Sequence, residues 1–144
     1  MKRREFLKSA VTTGAGLILL PGGLRANAAS NKLNIALIGT WGRGLAHFDS
    51  IADENVVALC DCWERNLADA VKRFPNAKTY VDWRKCLEQK DIDAVVICTT
   101  DFTHAFIANW ALNRNMHVYL EKPLGITVEE ARVVRANWLP KKNK

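Results

Sequence analysis

Short apolar runs that alternate with helical stretches are the feature of this sequence that most constrains its fold. Five runs after residue 30 have the length of a strand: residues 33–39, 56–60, 79–81, 94–98 and 117–120. The first, LNIALIG, is apolar throughout, as expected for a strand covered on both faces. Strands that alternate with helices pair in parallel through right-handed crossovers. The pattern therefore predicts an α/β fold with a doubly wound parallel sheet of five strands.

The segments between these runs carry helix signals. Two apolar series recur at helical spacing: Leu67, Ala70, Val71 and Phe74, then Phe106, Ile107, Trp110 and Ala111. Pro75 is predicted to end the first helix, and Asp82 to cap a short helix that follows the third strand. Thr127 and Glu130 have the spacing of a capping box, which predicts a last helix after the fifth strand.

Residues 1–28 have the composition of an export signal. A basic start is followed by an apolar stretch at residues 10–20 and by small residues ending at Ala28. The apolar stretch is shorter than the ~20 residues of a spanning helix, so we expect no membrane span once the signal is removed. RREFLK at residues 3–8 resembles a twin-arginine signal, which predicts export to the periplasm. The alternative is an ordinary basic, amphipathic N-terminus. Residues 31–144 are the predicted folded domain.

Charge and cysteine content argue against two classes of function. Of the formal net charge of +6, residues 1–28 carry +4, and no basic stripe with interleaved aromatic residues follows. We therefore expect no nucleic-acid partner. The four cysteines, Cys60, Cys62, Cys86 and Cys98, show no C-x-x-C pair, so we expect no metal site. Their spacing leaves the disulfide state open.

The first strand runs into a glycine-rich turn, GTWGRG, at residues 39–44. In a G-x-G-x-x-G turn the first glycine makes the bend, the second lets the backbone approach a pyrophosphate, and the third lets helix pack on strand. Gly39 and Gly44 fill the first and third places, whereas Trp41 stands in the second and Gly42 follows it. With Thr40 and Arg43, these residues form the predicted phosphate loop of a dinucleotide, at the start of a helix.

Trp41 has two interpretations. If Gly42 takes over the approach to phosphate, Trp41 keeps an ordinary backbone conformation and turns its indole along the cofactor or towards a further domain. Alternatively, the indole only packs on the neighbouring loop.

Asp61 ends the second strand, 22 residues after Gly39. A carboxylate at this distance accepts hydrogen bonds from the adenine ribose hydroxyls, which favours NAD. Arg65 could instead meet a 2′-phosphate, which leaves NADP open. Asp61 could also serve only as a helix cap.

Two further strand ends carry polar side chains. In a doubly wound sheet, ligands lie outside the carboxyl ends of the strands, at the point where the strand order reverses. Thr99, Thr100 and His104 follow the fourth strand and are expected to face the cofactor there. Glu121 and Lys122 follow the fifth strand, and a lysine in this position can donate to a substrate oxygen and exchange a proton. Lys122 is the predicted catalytic residue.

Taken together, GTWGRGLAH, LCD, CTTDFTH and HVYLEKPLGITVEEA resemble the N-terminal part of the Gfo/Idh/MocA oxidoreductases. The resemblance extends from about residue 31 to residue 135 and implies a Rossmann-like domain. It implies that Lys122 faces nicotinamide and substrate, and that Asp61 and His104 lie on the cofactor side. His47 matches a histidine common in the family. Thr100 and Phe102 depart from it, because the family often has proline and histidine there.

The resemblance implies hydride transfer between NAD or NADP and a hydroxyl-bearing carbon of a sugar, cyclitol or related compound. Some relatives with twin-arginine leaders are glycosidases that use bound NAD for a transient oxidation, which is an alternative function. Because the family continues with a substrate domain, we expect that domain to be missing here. A 144-residue chain would then be an inactive, nucleotide-binding fragment. Oligomerisation is left open.

Overall fold

One parallel five-stranded sheet forms the centre of the protein. The computed structural model describes residues 32–142, so the predicted leader at residues 1–28 lies outside the described part. The strands are β1 Asn34–Ile38, β2 Asn55–Cys60, β3 Lys78–Tyr80, β4 Ala94–Ile97 and β5 His117–Leu120. Their order is β3-β2-β1-β4-β5 and every neighbouring pair is parallel. The prediction of a doubly wound α/β sheet is confirmed.

Helices pack on both faces of the sheet. They are α1 Glu64–Arg73, α2 Trp83–Cys86, α3 Asp101–Asn113 and α4 Val128–Trp138. Asp82 caps α2 as predicted, because its side chain accepts a hydrogen bond from the Arg84 N–H. Thr127 likewise accepts from the Glu130 N–H. The Glu130 carboxylate returns to the Ile126 N–H, one residue earlier than in a standard capping box.

The two faces of the sheet bury separate apolar clusters. Leu37 and Leu59 point towards α1 and pack with its Leu67 and Ala70. Neighbouring strand residues point to the opposite face, where Ile38 and Ile97 pack with residues of α2, α3 and α4. A strand alternates its side chains between faces, so continuous apolar runs are needed to fill both clusters.

Two helical expectations differ from the structure. The glycine turn opens a short 3₁₀ helix, Gly42–His47, instead of an α-helix. Two glycines at the start of this segment disfavour regular α-helix. In α3, Ile107 and Ala111 are buried as their spacing suggests, but Phe106 and Trp110 lie on the outer face. The buried side of α3 also contains the small residues Ala105 and Ala108, which the apolar spacing of larger side chains did not reveal.

β5 forms one edge of the sheet and borders an apolar cavity. The cavity measures about 1190 Å³ and is lined by β5, α4 and the start of β1, including Val118, Leu124 and Trp138. The loop at residues 39–44 does not line it. Within residues 32–142, no helix is long and apolar enough to cross a membrane. The same residues contain no group of three or more His, Cys, Asp or Glu side chains that could hold a metal ion.

Candidate cofactor site

The candidate site lies where the carboxyl ends of β1, β2, β4 and β5 meet. The strand order reverses between β1 and β4, because the chain moves from β1 to β2 and β3 on one side and to β4 and β5 on the other. This is the switch point at which doubly wound sheets bind ligands. All the candidate residues follow these four strands, so the topology brings them to one edge.

Gly39 and Gly44 let three pieces of backbone meet at this edge. Gly39 has φ of +86° and donates its N–H to the carbonyl of Cys60 at 2.8 Å. A Cβ on Gly39 would lie 2.5 Å from the carbonyl oxygen of Cys98, and a Cβ on Gly44 would lie 2.0 Å from that of Gly39. Neither position has space for a side chain. The first and third glycines therefore pack β1 against β4 and the 3₁₀ helix against β1.

Gly42 serves a different purpose from the other two glycines. A Cβ there would meet nothing within 4 Å, but φ is +57°, a conformation that favours glycine. The loop is thus open to a ligand at Gly42, because the first hydrogen bond of the 3₁₀ helix is donated by the Gly44 N–H to the Trp41 carbonyl and leaves the N–H groups of Gly42 and Arg43 before it. Trp41 has an ordinary extended backbone, with φ −123° and ψ 171°. Trp41 is 61% exposed, so its indole is accessible from outside the loop.

Asp61 ties the glycine loop to the start of α1. One carboxylate oxygen accepts from the Thr40 N–H at 2.9 Å and from the Thr40 hydroxyl at 3.2 Å. The other accepts from the Trp63 N–H at 3.0 Å and from the Asn66 side chain at 3.2 Å. A carboxylate has about four acceptor positions, so the protein uses all of them. A ribose hydroxyl would have to take the place of one donor.

Thr40 is buried because of this interaction. Its exposure is 1%, and its hydroxyl points at Asp61. The side chain of Thr40 therefore acts inside the loop. We expect it to affect a bound nucleotide through Asp61 and the loop backbone.

His104 lies beneath the site, which corrects the expectation that it faces the cofactor. Its exposure is 1%. Nδ1 lies 2.7 Å from the carbonyl oxygen of Pro123, and Nε2 lies 3.1 Å from that of Thr99. His104 therefore joins the end of β4 to the loop after β5, and it acts as a positioning residue.

Thr99 and Thr100 lie closer to the surface of the edge. Thr99 is half-buried and its hydroxyl accepts from the Thr103 hydroxyl at 2.7 Å. Thr100 is exposed and precedes α3 without capping it through its side chain. Of the two, Thr100 has the more accessible side chain for a ligand.

Glu121 joins the loop after β5 to the glycine loop. Its Oε1 accepts from His47 Nε2 at 2.7 Å and from Arg43 Nε at 3.0 Å. The hydrogen bond from His47, followed by that from Arg43, lowers the pKa of Glu121 below its usual value. Glu121 is therefore ionised at neutral pH. Among residues 32–142, the ion pair of Arg43 runs through Nε, so its terminal nitrogens can contact an anion.

Lys122 is held at the backbone and free at the side chain. Glu121 on one side is anchored through its N–H to the carbonyl of Ile97 as well as through its carboxylate. Pro123 on the other side contacts His104, and the Lys122–Pro123 peptide is cis. The Lys122 side chain is exposed, and its ammonium has no hydrogen bond or ion pair with the residues described.

Cys60, Cys86 and Cys98 are buried, whereas Cys62 is exposed. All four are free thiols. Burial and the charge of Glu121 raise the pKa of Cys98 to about 12, although Arg43 opposes this effect. A hydrogen bond with Cys86 and burial raise the pKa of Cys60 as well. Both thiols stay protonated at neutral pH, so neither is an activated nucleophile.

Asn66 and Tyr119 contribute to the site without having been predicted. Asn66 is buried and donates to Asp61 from the first turn of α1. The ring of Tyr119 packs edge-on against His47, with centroids 5.2 Å apart. A polar residue on the inward side of α1, one turn after Asp61, is a signal that could have identified Asn66. Nothing in the spacing of β5 pointed to the contact between Tyr119 and His47.

The residues 33–138 match the model of the Gfo/Idh/MocA oxidoreductase family, NAD-binding Rossmann fold. A glycosyl hydrolase family 109 protein of Stenotrophomonas maltophilia is 36% identical over 90% of this chain and 31% of its own length. The inositol 2-dehydrogenase of Salmonella typhimurium is 32% identical over 72% of this chain and 33% of its own length. The chain thus spans about a third of these relatives.

A solved structure gives the same similarity in three dimensions. The myo-inositol dehydrogenase of Lactobacillus casei, in complex with NAD(H) and myo-inositol, superimposes with a TM-score of 0.71. It is 32% identical, over 76% of this chain and 34% of its own.

Gly44 and Gly42 give separate predictions for the stability of the fold. Gly44→Ala places a methyl group on the backbone of Gly39, and no rotamer change can relieve this clash, so we expect a loss of about 3 kcal/mol or more. Gly42→Ala meets open space and suffers only the positive φ, so we expect a loss of about 1–2 kcal/mol. Urea unfolding of the two variants measures the difference. Equal losses would contradict the packing role of Gly44.

Proposed function

Because the chain belongs to the NAD-binding Gfo/Idh/MocA oxidoreductases, we propose that it is the nucleotide-binding part of a sugar or cyclitol dehydrogenase. The proposed reaction moves a hydride between NAD and a hydroxyl-bearing carbon. Similarity to inositol 2-dehydrogenase and to a myo-inositol dehydrogenase supports this substrate class. The observation that carries the proposal is the meeting of the glycine loop, Asp61 and the unpartnered Lys122 at one edge of the sheet.

The residues at this edge fit a dinucleotide. Open space at Gly42 and the free nitrogens of Arg43 suit a pyrophosphate, which is an anion with several acceptor oxygens. Asp61 lies at the end of β2, where an adenosine ribose would extend. NAD bound here supplies the hydride acceptor.

Lys122 is the proposed proton carrier. As the carbon loses its hydride, the proton of the same hydroxyl must leave its oxygen, and we assign the acceptance of this proton to the Lys122 amine, which becomes an ammonium. Glu121 and Pro123 hold the Lys122 backbone in place, so the side chain alone moves to reach the oxygen. Such placement keeps reacting atoms within about 3–3.5 Å of each other.

A second function is supported by the similarity to glycosidases. The Stenotrophomonas maltophilia relative and an alpha-N-acetylgalactosaminidase of Bacteroides fragilis, 34% identical, are both named for glycoside hydrolysis. A transient oxidation by bound NAD followed by glycoside release would use the same edge. Glycoside release without added NAD, and without net NADH formation, would favour this function over a dehydrogenase.

We also propose that the protein is exported to the periplasm by the twin-arginine route. The support is the RREFLK sequence at residues 3–8 and the apolar stretch that follows it. Replacement of Arg3 and Arg4 by lysine should then abolish export, whereas Arg25→Lys should not. Continued export of the double variant would refute the proposed route.

Asp61 should select NAD over NADP. Asp61→Asn removes the charge that opposes a 2′-phosphate and weakens acceptance from the 2′-hydroxyl, so we expect the NAD/NADP affinity ratio to fall about tenfold or more. The ratio of the two affinities is the informative quantity, because a disturbance of the glycine loop weakens the binding of both nucleotides. Calorimetric titration with each nucleotide measures it.

Thr40→Val is the matched control for Asp61. It removes a hydroxyl donor to the same carboxylate but leaves the charge in place. We expect this variant to weaken the binding of NAD and of NADP equally. An unchanged NAD/NADP affinity ratio in Asp61→Asn would show that Asp61 does not contact the ribose.

Lys122→Met should lower turnover much more than NAD affinity. The loss of a positioned proton carrier typically costs 10²–10⁴-fold in rate, and we expect a decrease in kcat of about that size in the complete enzyme. Lys90→Met, an exposed lysine away from this edge, is the control. Unchanged kcat in Lys122→Met, measured by NADH formation, would reduce Lys122 to a surface residue.

A further inference from the structure

His47 ends the 3₁₀ helix that follows the glycine loop, and its ring contacts the loop after β5. Its Nε2 lies 2.7 Å from Oε1 of Glu121, and because an ionised carboxylate can only accept, Nε2 is the donor. The two side chains are 12% and 10% exposed, so the hydrogen bond is shielded from most of the solvent. The carbonyl oxygen of His47 accepts from the Ser50 hydroxyl and the Ile51 N–H. His47 is therefore a donor held in place, to which the proposed function assigns no role.

Arg43 contacts the same carboxylate oxygen in a way that leaves part of its guanidinium unused. Its Nε lies 3.0 Å from Oε1 of Glu121. A guanidinium that pairs with a carboxylate frequently forms two parallel hydrogen bonds, one to each oxygen. Within residues 32–142, no hydrogen bond joins the terminal nitrogens of Arg43 to Glu121. Because His47 supplies a second donor to the carboxylate, Arg43 keeps these nitrogens for another acceptor.

His47 is the main hydrogen-bond donor to Glu121. Its hydrogen bond is the largest of the effects that lower the pKa of Glu121, ahead of that from Arg43, whereas burial opposes them. A shielded carboxylate that loses its main donor is left with an unsatisfied acceptor, which is costly. The Arg43 guanidinium has five N–H donors and could satisfy both oxygens by turning towards them. Its terminal nitrogens would then face Glu121 instead of the glycine loop.

Of these three side chains, Arg43 is the one with room to move. The Glu121 N–H donates to the carbonyl of Ile97 at 3.0 Å, which anchors Glu121 at the end of β5. The ring of His47 packs edge-on against Tyr119, with centroids 5.2 Å apart. The Arg43 side chain, in contrast, is 63% exposed. A change in the donors of Glu121 is therefore expected to alter the orientation of Arg43.

We propose that His47 is a positioning residue for the cofactor: its hydrogen bond to Glu121 keeps the terminal nitrogens of Arg43 available for the pyrophosphate of NAD. The effect passes through Glu121 and Arg43, so it requires no contact between His47 and the nucleotide. This inference rests on the proposed function, in which the pyrophosphate lies against Gly42 and Arg43. It makes binding at the glycine loop depend on the 3₁₀ helix and on the loop after β5.

His47→Leu tests the hydrogen bond. Leucine keeps an apolar contact with Tyr119 but donates nothing to Glu121, so we expect NAD affinity to fall about tenfold, as for one lost charge-assisted hydrogen bond. His47→Gln offers an amide N–H to the carboxylate and should keep NAD affinity within about twofold of the unaltered protein. His117→Leu, at the opposite end of β5, is the matched control and should leave the affinity unchanged. Titration of the labelled protein with NAD, followed by the amide resonances of the glycine loop, measures each affinity.

Arg43→Met separates positioning from a general disturbance of the loop. If His47 acts through Arg43, the losses caused by the two substitutions do not add. Once Arg43 is replaced, His47→Leu should change NAD affinity by less than about twofold. Additive losses would overturn the proposal and make His47 a structural residue. A tenfold loss in His47→Gln, equal to that in His47→Leu, would also overturn it, because the amide supplies the donor.

Glu121→Gln provides a second background, in which no shielded carboxylate is left without a donor if His47→Leu is added. This background keeps the test valid even if His47→Leu alone does not fold, which circular dichroism and thermal unfolding would show. No carboxylate remains to attract Arg43, so adding His47→Leu should change NAD affinity by less than about twofold. A larger loss would overturn the proposal.

The unaltered protein distinguishes this inference from the proposed function. If it does not bind NAD, the proposed function is wrong and the role of His47 is wrong with it. If it binds NAD and His47→Leu binds equally well, the proposed function stands and only the role of His47 is refuted.

Discussion

The contact between the glycine turn and the end of β4 is the constraint on which the candidate site depends. Gly39 bends the chain directly against the carbonyl of Cys98, and Gly44 brings the next turn against Gly39. A side chain at Gly39 would push β1 away from β4, and a side chain at Gly44 would push the 3₁₀ helix away from the end of β1. Since the strand order reverses between these two strands, the same contact creates the crevice in which a dinucleotide would lie. Packing and binding therefore place the same demand on two residues.

Three polar links extend from this contact to neighbouring strands. Asp61 holds the loop to the end of β2, Glu121 holds it to the end of β5, and His104 holds β4 to the loop after β5. Each link joins segments that are distant in sequence, and each leaves the surface of the crevice clear. The Lys122 ammonium projects from the loop after β5 without a hydrogen bond or ion pair in the described part. The polar links hold the loops around an exposed amine, which suits a group that must reach a substrate oxygen.

Sequence reasoning succeeded where a local rule has a single structural solution. Continuous apolar runs have few alternatives to buried parallel strands, and the positions of Asp82 and Thr127 suffice to predict where helices begin. It failed where the outcome depends on partners that are remote in sequence. His104 has the position of a cofactor contact but turns inward, because two carbonyl oxygens lie within reach beneath it. Phe106 has the spacing of a core residue, yet Ala105 and Ala108 occupy the side of α3 that meets the sheet. The pairing of Arg43 and His47 with Glu121 likewise needs the folded sheet.

Titration of the isotopically labelled protein with NAD, followed by backbone amide resonances, tests most directly whether this edge binds the cofactor. The method also detects weak binding. We predict saturable shifts that are largest at Trp41, Gly42 and Arg43 and that extend to Asp61 and Thr100. The β5 cavity and the outer face of α3 should remain unchanged. Absence of shifts at saturating NAD, or shifts confined to the β5 cavity, would contradict the assignment of this edge as the dinucleotide site.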